Sequence, residues 1–167
     1  MINPKLIKLK SFNDQRGFFI SLLDKKLSAQ LNLKGDISKY QISVSKSSKN
    51  VIRGLHYQTP KQSKLVYVMA GRVQDIVVNI NKKSKNFGKC YEFILKDNEK
   101  ILYIPKDYAH GFCALEESKL LYILDNNYNS IKEKTIAWND IDLNIKWMTS
   151  RPSLSKKDHN GLPFKNL

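Results

Sequence analysis

Two short stretches hold most of the groups in this chain that could do chemistry. The first is Arg53-Gly54-Leu55-His56-Tyr57-Gln58, followed closely by Lys64. It offers a guanidinium, an imidazole, a phenol and an ammonium. The second is Pro105-Lys106-Asp107-Tyr108-Ala109-His110-Gly111-Phe112. His56, His110 and His159 are the 3 histidines of the chain, and they are solitary. A strand-borne metal site would show paired histidines two residues apart with further N/O ligands, so no metal is expected. There is no Gly-x-Ser-x-Gly elbow for acyl transfer. A histidine without a nucleophile beside it suits proton transfer. Taken singly, His56 reads as a satisfied core histidine. Tyr122, within Lys119-Leu120-Leu121-Tyr122-Ile123-Leu124, reads as a core aromatic.

Such groups need rigid elements to hold them, and the chain supplies extended segments. Tyr40, Ile42 and Val44 alternate so that they share one face of a strand, and Lys64–Val68 reads as another. Strand patterns fall at about 5–10, 18–23, 39–46, 51–57, 64–69, 72–80, 90–96, 101–104, 110–115 and 119–125. Between them lie turn signals such as Asn13–Gly17, Ser47–Asn50, Thr59-Pro60, Ala70-Gly71, Asn86–Gly88 and Lys96–Glu99. Many short strands at this spacing predict an all-β fold, an antiparallel sandwich or barrel, rather than a parallel α/β sheet. Leu27–Leu33 makes one or two helical turns ending near Gly35. Trp138–Asp142 reads as a turn or short helix, and Ile145-Lys146-Trp147 as a short strand. From Arg151 to Leu167 the chain is polar, carries Pro152 and Pro163, and reads as a mobile tail.

The length, 167 residues, suits one domain with a full core. No apolar run reaches the roughly 20 residues of a membrane span, and Met1-Ile2-Asn3-Pro4-Lys5 has no signal-peptide core. The cytoplasm is the default. Cys90 and Cys113 read as buried free thiols. The formal charge is +14, but the lysines are scattered. No basic block, helix-turn-helix, zinc finger or aromatic stripe accompanies them, so nucleic acid is not the expected partner. Such a surface still attracts a doubly negative small molecule. Arginines are few: Arg16, Arg53, Arg72 and Arg151. They are the candidates for bidentate phosphate contacts.

Along the whole chain, one combination stands out. It runs Asp14-Gln15-Arg16-Gly17-Phe18-Phe19, Gln41, Ser47-Ser48-Lys49, Arg53–Gln58 and Gln62-Ser63-Lys64-Leu65-Val66. It continues with Ile104-Pro105, Ala109-His110-Gly111-Phe112, Leu121-Tyr122, Tyr128, Glu133, Trp138-Asn139-Asp140 and Ile145-Lys146-Trp147. It ends with Leu154-Ser155-Lys156-Lys157-Asp158 and Pro163. This set resembles the dTDP-4-dehydrorhamnose 3,5-epimerase family over roughly residues 10–163. Arg-Gly-Leu-His-Tyr-Gln with a later Ala-His-Gly-Phe is the specific part. The resemblance implies a cupin-like jelly roll, an antiparallel β-sandwich with a few short helical turns. It also implies a homodimer working without metal or organic cofactor on a nucleotide-linked 4-keto-6-deoxyhexose.

In such a substrate the keto group acidifies the protons on carbons 3 and 5. A base removes one to give an enolate, and an acid returns a proton to the other face. By resemblance His56 is the base and Asp158 its partner, so the tail, about 151–167, folds back over the site. Lys64 faces the enolate oxygen, His110 belongs to the same pocket, and Tyr122 is the acid. Arg53 and Arg16 contact the diphosphate and nucleotide, with Phe19 alongside. Gln41, Glu133 and Lys157 are polar contacts, and Tyr128 stacks on the base.

Two places depart from the family's pattern. Ser21 stands where an acidic residue is usual, and Ile42-Ser43 where Asp-Asn is common. Both lie in the nucleotide-recognition half, while the proton-transfer positions are kept. Open alternatives are a single-carbon epimerase, an enzyme for another nucleotide-linked 4-keto sugar, and a non-catalytic jelly-roll module holding an acidic ligand.

Overall fold

The computed structural model describes residues 2–33, 40–97 and 100–167. The strands are β1 (Lys5–Lys8), β2 (Ser11–Asp14), β3 (Gly17–Ile20), β4 (Gln41–Ser47), β5 (Ile52–Gln58) and β6 (Lys64–Ala70). They continue as β7 (Arg72–Asn79), β8 (Cys90–Lys96), β9 (Lys100–Ile104), β10 (Tyr108–Ala114), β11 (Ser118–Leu124) and β12 (Glu133–Thr135). Two short helices, α1 (Lys25–Gln30) and α2 (Lys156–His159), and a 3₁₀ turn, Phe164–Asn166, complete the described elements. One sheet has the order β1-β9-β6-β11-β4 and the other β12-β5-β10-β7-β8, with β2 and β3 forming a separate hairpin. The strand pairings are antiparallel. This is the expected antiparallel sandwich.

The period of two explains the layers. On β6, Val66 and Val68 enter the cluster between the sheets with Val73, Val77, Leu102, Phe112 and Leu120. Leu65 and Tyr67 face the other way, against Leu27 and Leu31 of the helix region. Burying each large aliphatic side chain contributes about 1.5–3 kcal/mol. Lys64 shares the inward parity of Val66, His110 that of Phe112, Asp75 that of Val73 and Val77, and Tyr122 that of Leu120. The interior is therefore apolar at one end and polar at the other.

Several local expectations shift. α1 starts at Lys25, not Leu27, because the Asp24 carboxylate caps it by accepting from Leu27 N at 2.7 Å. The expected stop at Gly35, the first residue of the 39–46 strand, and Asn98-Glu99 of a turn lie outside the described residues. Ser11–Asp14 and Glu133–Thr135 are strands that the pattern did not announce, being short and polar. Ile145-Lys146-Trp147 is not a strand. Side-chain amides take over its backbone: Gln74 Nε2 donates to Lys146 O at 2.9 Å, and Met148 N donates to Gln74 Oε1 at 2.7 Å.

The tail is the largest correction. Residues 151–167 are not loose but strapped onto the second sheet. Ile52 N donates to Ser153 O at 3.0 Å, and Ala137 N donates to Leu162 O at 2.8 Å. Phe164 is buried, its N–H bonded to Asp140 Oδ2 at 2.7 Å and its ring stacked on Phe87 at 4.8 Å. Polar composition predicted mobility, and backbone hydrogen bonds to existing strands outweigh it. Among the described residues, no helix is long and apolar enough to cross a membrane.

Candidate active site

The polar end of the sandwich opens into a cavity of about 240 Å³, lined by Arg53, His56, Lys64, His110, Tyr122 and Tyr128, among others. Its two walls belong to different sheets. Arg53 and His56 on β5 and His110 on β10 form one wall. Lys64 on β6, Tyr122 on β11 and Gln41 on β4 come from the other.

His56 and His110 are directly opposed across β5 and β10. The close approach of these strands depends on Gly54 and Gly111. Gly54 has φ +122°, and a Cβ there would sit 2.5 Å from Gly111 Cα and 2.7 Å from His110 O. Each histidine has its own carboxylate. His56 Nε2 lies 2.6 Å from Asp158 Oδ1, and His110 Nε2 lies 2.8 Å from Asp75 Oδ2. Nδ1 of His56 is left toward the pocket, its ion-pair distance to Glu133 Oε1 being 3.9 Å.

Asp158 reaches His56 because the tail is docked. Gly54 N donates to Asp158 Oδ1 at 3.2 Å, and Ser155 Oγ donates to Asp158 Oδ2 at 2.7 Å. Burial works to raise the Asp158 carboxyl, but the hydrogen bonds from His56 and Ser155 outweigh it and hold it below the usual range. Burial lowers the His56 imidazole, against the pull of Asp158, and so favours the neutral ring. Lys64 is pushed down to about 8 by burial, with Asp75 opposing. Asp75 is itself raised by burial, against His110 and Lys64. Tyr122 is pushed up to about 12 by burial, opposed by its hydrogen bond with Ser45 at 3.0 Å.

The expected binding residues fall into two groups. Gln41 Oε1 accepts from Tyr128 N at 2.7 Å, Tyr128 Oη donates to Glu133 Oε2 at 3.0 Å, and Lys157 ion-pairs with Glu133. Gln41, Tyr128, Glu133 and Lys157 thus form one connected network at the rim, while Arg53 lines the cavity separately, bonded to Ser47 Oγ and Lys46 O. Arg16 and Phe19 do not line it. They line a separate surface groove on the β2–β3 hairpin, where Arg16 pairs with Asp14 at 2.6 Å.

Of three residues that hold this site, Asp75 and Ser45 were not singled out from the sequence, and Ser155 appeared only within the matched segment Leu154–Asp158. Asp75 is the one with a visible signal, a carboxylate inside the apolar run Val73–Val78. Ser45 and Ser155 carry none, because a serine in a strand or loop is ordinary. Among the described residues, no group of three histidine, cysteine or carboxylate side chains converges as a metal site.

The dTDP-4-dehydrorhamnose 3,5-epimerase family profile matches residues 3–166. The chain is 40% identical over 159 residues to the dTDP-4-dehydrorhamnose 3,5-epimerase of Shigella flexneri, covering 93% of this chain and 87% of that protein. Its fold is similar to that of dTDP-6-deoxy-D-glucose-3,5-epimerase from Legionella pneumophila Philadelphia 1, solved in complex with dTDP-4-keto-L-rhamnose. The TM-score is 0.90 at 36% identity, over 97% of this chain and 88% of that one. The Elizabethkingia anophelis 3,5-epimerase is similar with TM-score 0.87 and 38% identity, over 98% and 92%. With the sequence match running nearly end to end and the same sandwich beneath it, this chain belongs to the dTDP-4-dehydrorhamnose 3,5-epimerase family.

Proposed function

We propose that this chain inverts carbons 3 and 5 of a dTDP-linked 4-keto-6-deoxyhexose by proton removal and return through an enolate. One observation carries the reading. The candidate base, His56, and the candidate acid, Tyr122, stand on strands of opposite sheets and line one cavity. Inversion requires a base on one face of the sugar carbon and an acid on the other.

In this mechanism Asp158 holds the Nε2 proton of His56, and the other ring nitrogen takes the substrate proton. The imidazolium that forms is stabilised by the same carboxylate. The electron pair moves onto the keto oxygen, where the Lys64 ammonium opposes the developing charge, with His110 held beside it by Asp75. Tyr122 then gives its proton to the opposite face. Arg53 grips the diphosphate, Tyr128 stacks on the base, and Gln41, Glu133 and Lys157 hold that rim, so that binding energy is used for orientation. Residues 1–167 act as one catalytic unit, closed by the tail. Free Cys90 and Cys113 suit a reducing cytoplasm.

Arg16 and Phe19 enter this scheme through a second copy of the chain. The outer face of β4 exposes Ile42 and Val44, at 64% and 59%, near a groove formed with Phe19, Leu22 and Leu121. An exposed apolar sheet edge of this kind fits a homodimer interface. The hairpin of one copy then reaches the pocket of the other.

The reading is tested by supplying dTDP-4-keto-6-deoxyglucose and trapping product with a 4-keto reductase. An inverted, reduced dTDP-sugar is expected, and none from folded protein would overturn it. Mixing Arg16→Ala with His56→Ala chains tests the dimer. Regained activity is expected, since one hybrid site is intact, and no regain would remove Arg16 from the partner's pocket.

A further inference from the structure

The edge strand β4 is built inside out. A sandwich strand normally turns apolar side chains inward and polar ones outward. Here Ile42 and Val44 face solvent while Ser43, Ser45 and Ser47 take the inward parity. Each inward hydroxyl meets a different side chain. Gln41 Nε2 donates to Ser43 Oγ at 2.9 Å, and Arg53 Nε donates to Ser47 Oγ at 3.0 Å. Between them, Ser45 Oγ lies 3.0 Å from Tyr122 Oη. β4 and β11 are in register over their whole length, with Leu120 opposite Ser45 and Tyr122 opposite Ser43. Ser45 and Tyr122 are therefore a diagonal cross-strand pair, held by backbone on both sides.

We infer that Ser45 is a positioning residue for inversion, orienting the Tyr122 hydroxyl toward the substrate and stabilising the phenolate left when its proton is delivered. The inference rests on the reading of Tyr122 as the acid. A phenol rotor has one proton and two lone pairs. When Ser45 donates to Oη, the phenol proton is free to point into the cavity. On proton delivery the Tyr122 O–H bond breaks, the enolate carbon gains a C–H bond, and the carbonyl reforms. The Ser45 hydroxyl keeps its own proton, and its hydrogen bond now runs to a charged acceptor, which is the stronger kind. The stabilisation is thus greater after transfer than before it, the condition for raising a rate. Tyr122 regains a proton from water, since the cavity is open to solvent. Burial makes the phenolate costly at this site, and the Ser45 hydrogen bond and the Arg53 charge oppose that cost. The serine stripe thus ties the acid and the candidate diphosphate ligand to one strand.

The test uses Ser45→Ala, Ser45→Thr and Tyr122→Phe in deuterated water. It compares deuterium uptake into recovered substrate with formation of inverted product. Loss of a hydrogen bond to a charged group predicts that Ser45→Ala lowers inversion about 10-fold more than uptake. Ser45→Thr restores most of the loss, and Ser45→Ala adds nothing further in a Tyr122→Phe background. NMR of [13Cζ]tyrosine, with the Tyr122 signal identified by its absence in Tyr122→Phe, gives a second readout. The phenol titrates at higher pH in Ser45→Ala. Equal loss of uptake and inversion in Ser45→Ala, or an unmoved phenol titration, overturns the role of Ser45 alone. Unimpaired inversion in Tyr122→Phe overturns the acid assignment, and the role of Ser45 with it.

Discussion

His56 and His110 are neighbours across one strand pair, each bonded through Nε2 to a carboxylate, yet the two pairs are built differently. His110 and Asp75 both stand on central strands, and their side chains are 6% and 0% exposed. The His56 side chain is 22% exposed, and its carboxylate, Asp158, comes from the tail. The buried pair is locked by the sheet. Its second carboxylate oxygen, Asp75 Oδ1, has no hydrogen-bond partner among the described residues, so its charge acts on His110 and Lys64 together. The other pair faces the cavity on one side and is closed by the docked tail on the other. The proposed base, which would exchange protons with substrate and water, needs that openness. A group that only sets the field does not.

This contrast predicts opposite phenotypes for two similar substitutions. His56→Ala should lower kcat about 1,000-fold, within the range for losing general base catalysis, with the melting temperature nearly unchanged. His110→Ala should instead destabilise the fold by about 3–5 kcal/mol, because Asp75 is left buried without its partner. Denaturant melts and turnover of both variants check the pair; a stable, active His110→Ala chain would break the comparison.

Asp158→Asn comes next. It keeps shape but loses the charge that stabilises imidazolium, so kcat should fall about 100-fold with little change in KM. Gly161→Ala sharpens the point from a distance. A Cβ there would lie 2.7 Å from the backbone of Ala137, so the strap must shift, and kcat should fall while the sandwich stays folded.

A smaller effect is expected on the pH profile. His56 must be neutral to accept a proton. Burial depresses its pKa, so activity should be lost only as pH falls below the ordinary histidine range. Lys64 must be charged, and activity should decline as pH rises through about 8. Asp75 holds the Lys64 value up, so Asp75→Asn should move the alkaline limb lower while leaving the acid limb in place. An unmoved alkaline limb would remove Lys64 from the oxyanion contact. Arg53→Ala should be the mildest, raising KM about 10-fold, as expected for one charge-assisted contact, and an unchanged KM would contradict the diphosphate role.

Much of this site was legible because strand parity is legible. The strand patterns at 51–57, 64–69 and 110–115 placed His56, Lys64 and His110 on extended backbone, and the structure gathers them at one cavity. The sequence did not say which face of β4 is inside. An alternating apolar and hydroxyl strand reads as apolar-inward, and only tertiary context turns Ile42 and Val44 outward. Nor did composition show the strap. Residues 151–167 have no periodicity of their own, because their backbone partners are Asn50, Ile52, Thr135 and Ala137, far away in the chain. Only the family resemblance brought Asp158 back to His56. The β2–β3 hairpin was half legible, as a turn at Gln15-Arg16 followed by a strand. Its Arg16 and Phe19 line a groove on the hairpin itself, apart from the cavity.

In the proposed reaction, base and acid work from opposite walls on carbons next to one carbonyl. Proton NMR of dTDP-4-keto-6-deoxyglucose with this protein in deuterated water tests it most directly, with and without a reductase to trap product. Exchange at both carbons 3 and 5, together with a trapped product inverted at both, is the predicted result. Folded protein that exchanges neither carbon would contradict it, and exchange at one carbon alone would limit the chemistry to single inversion.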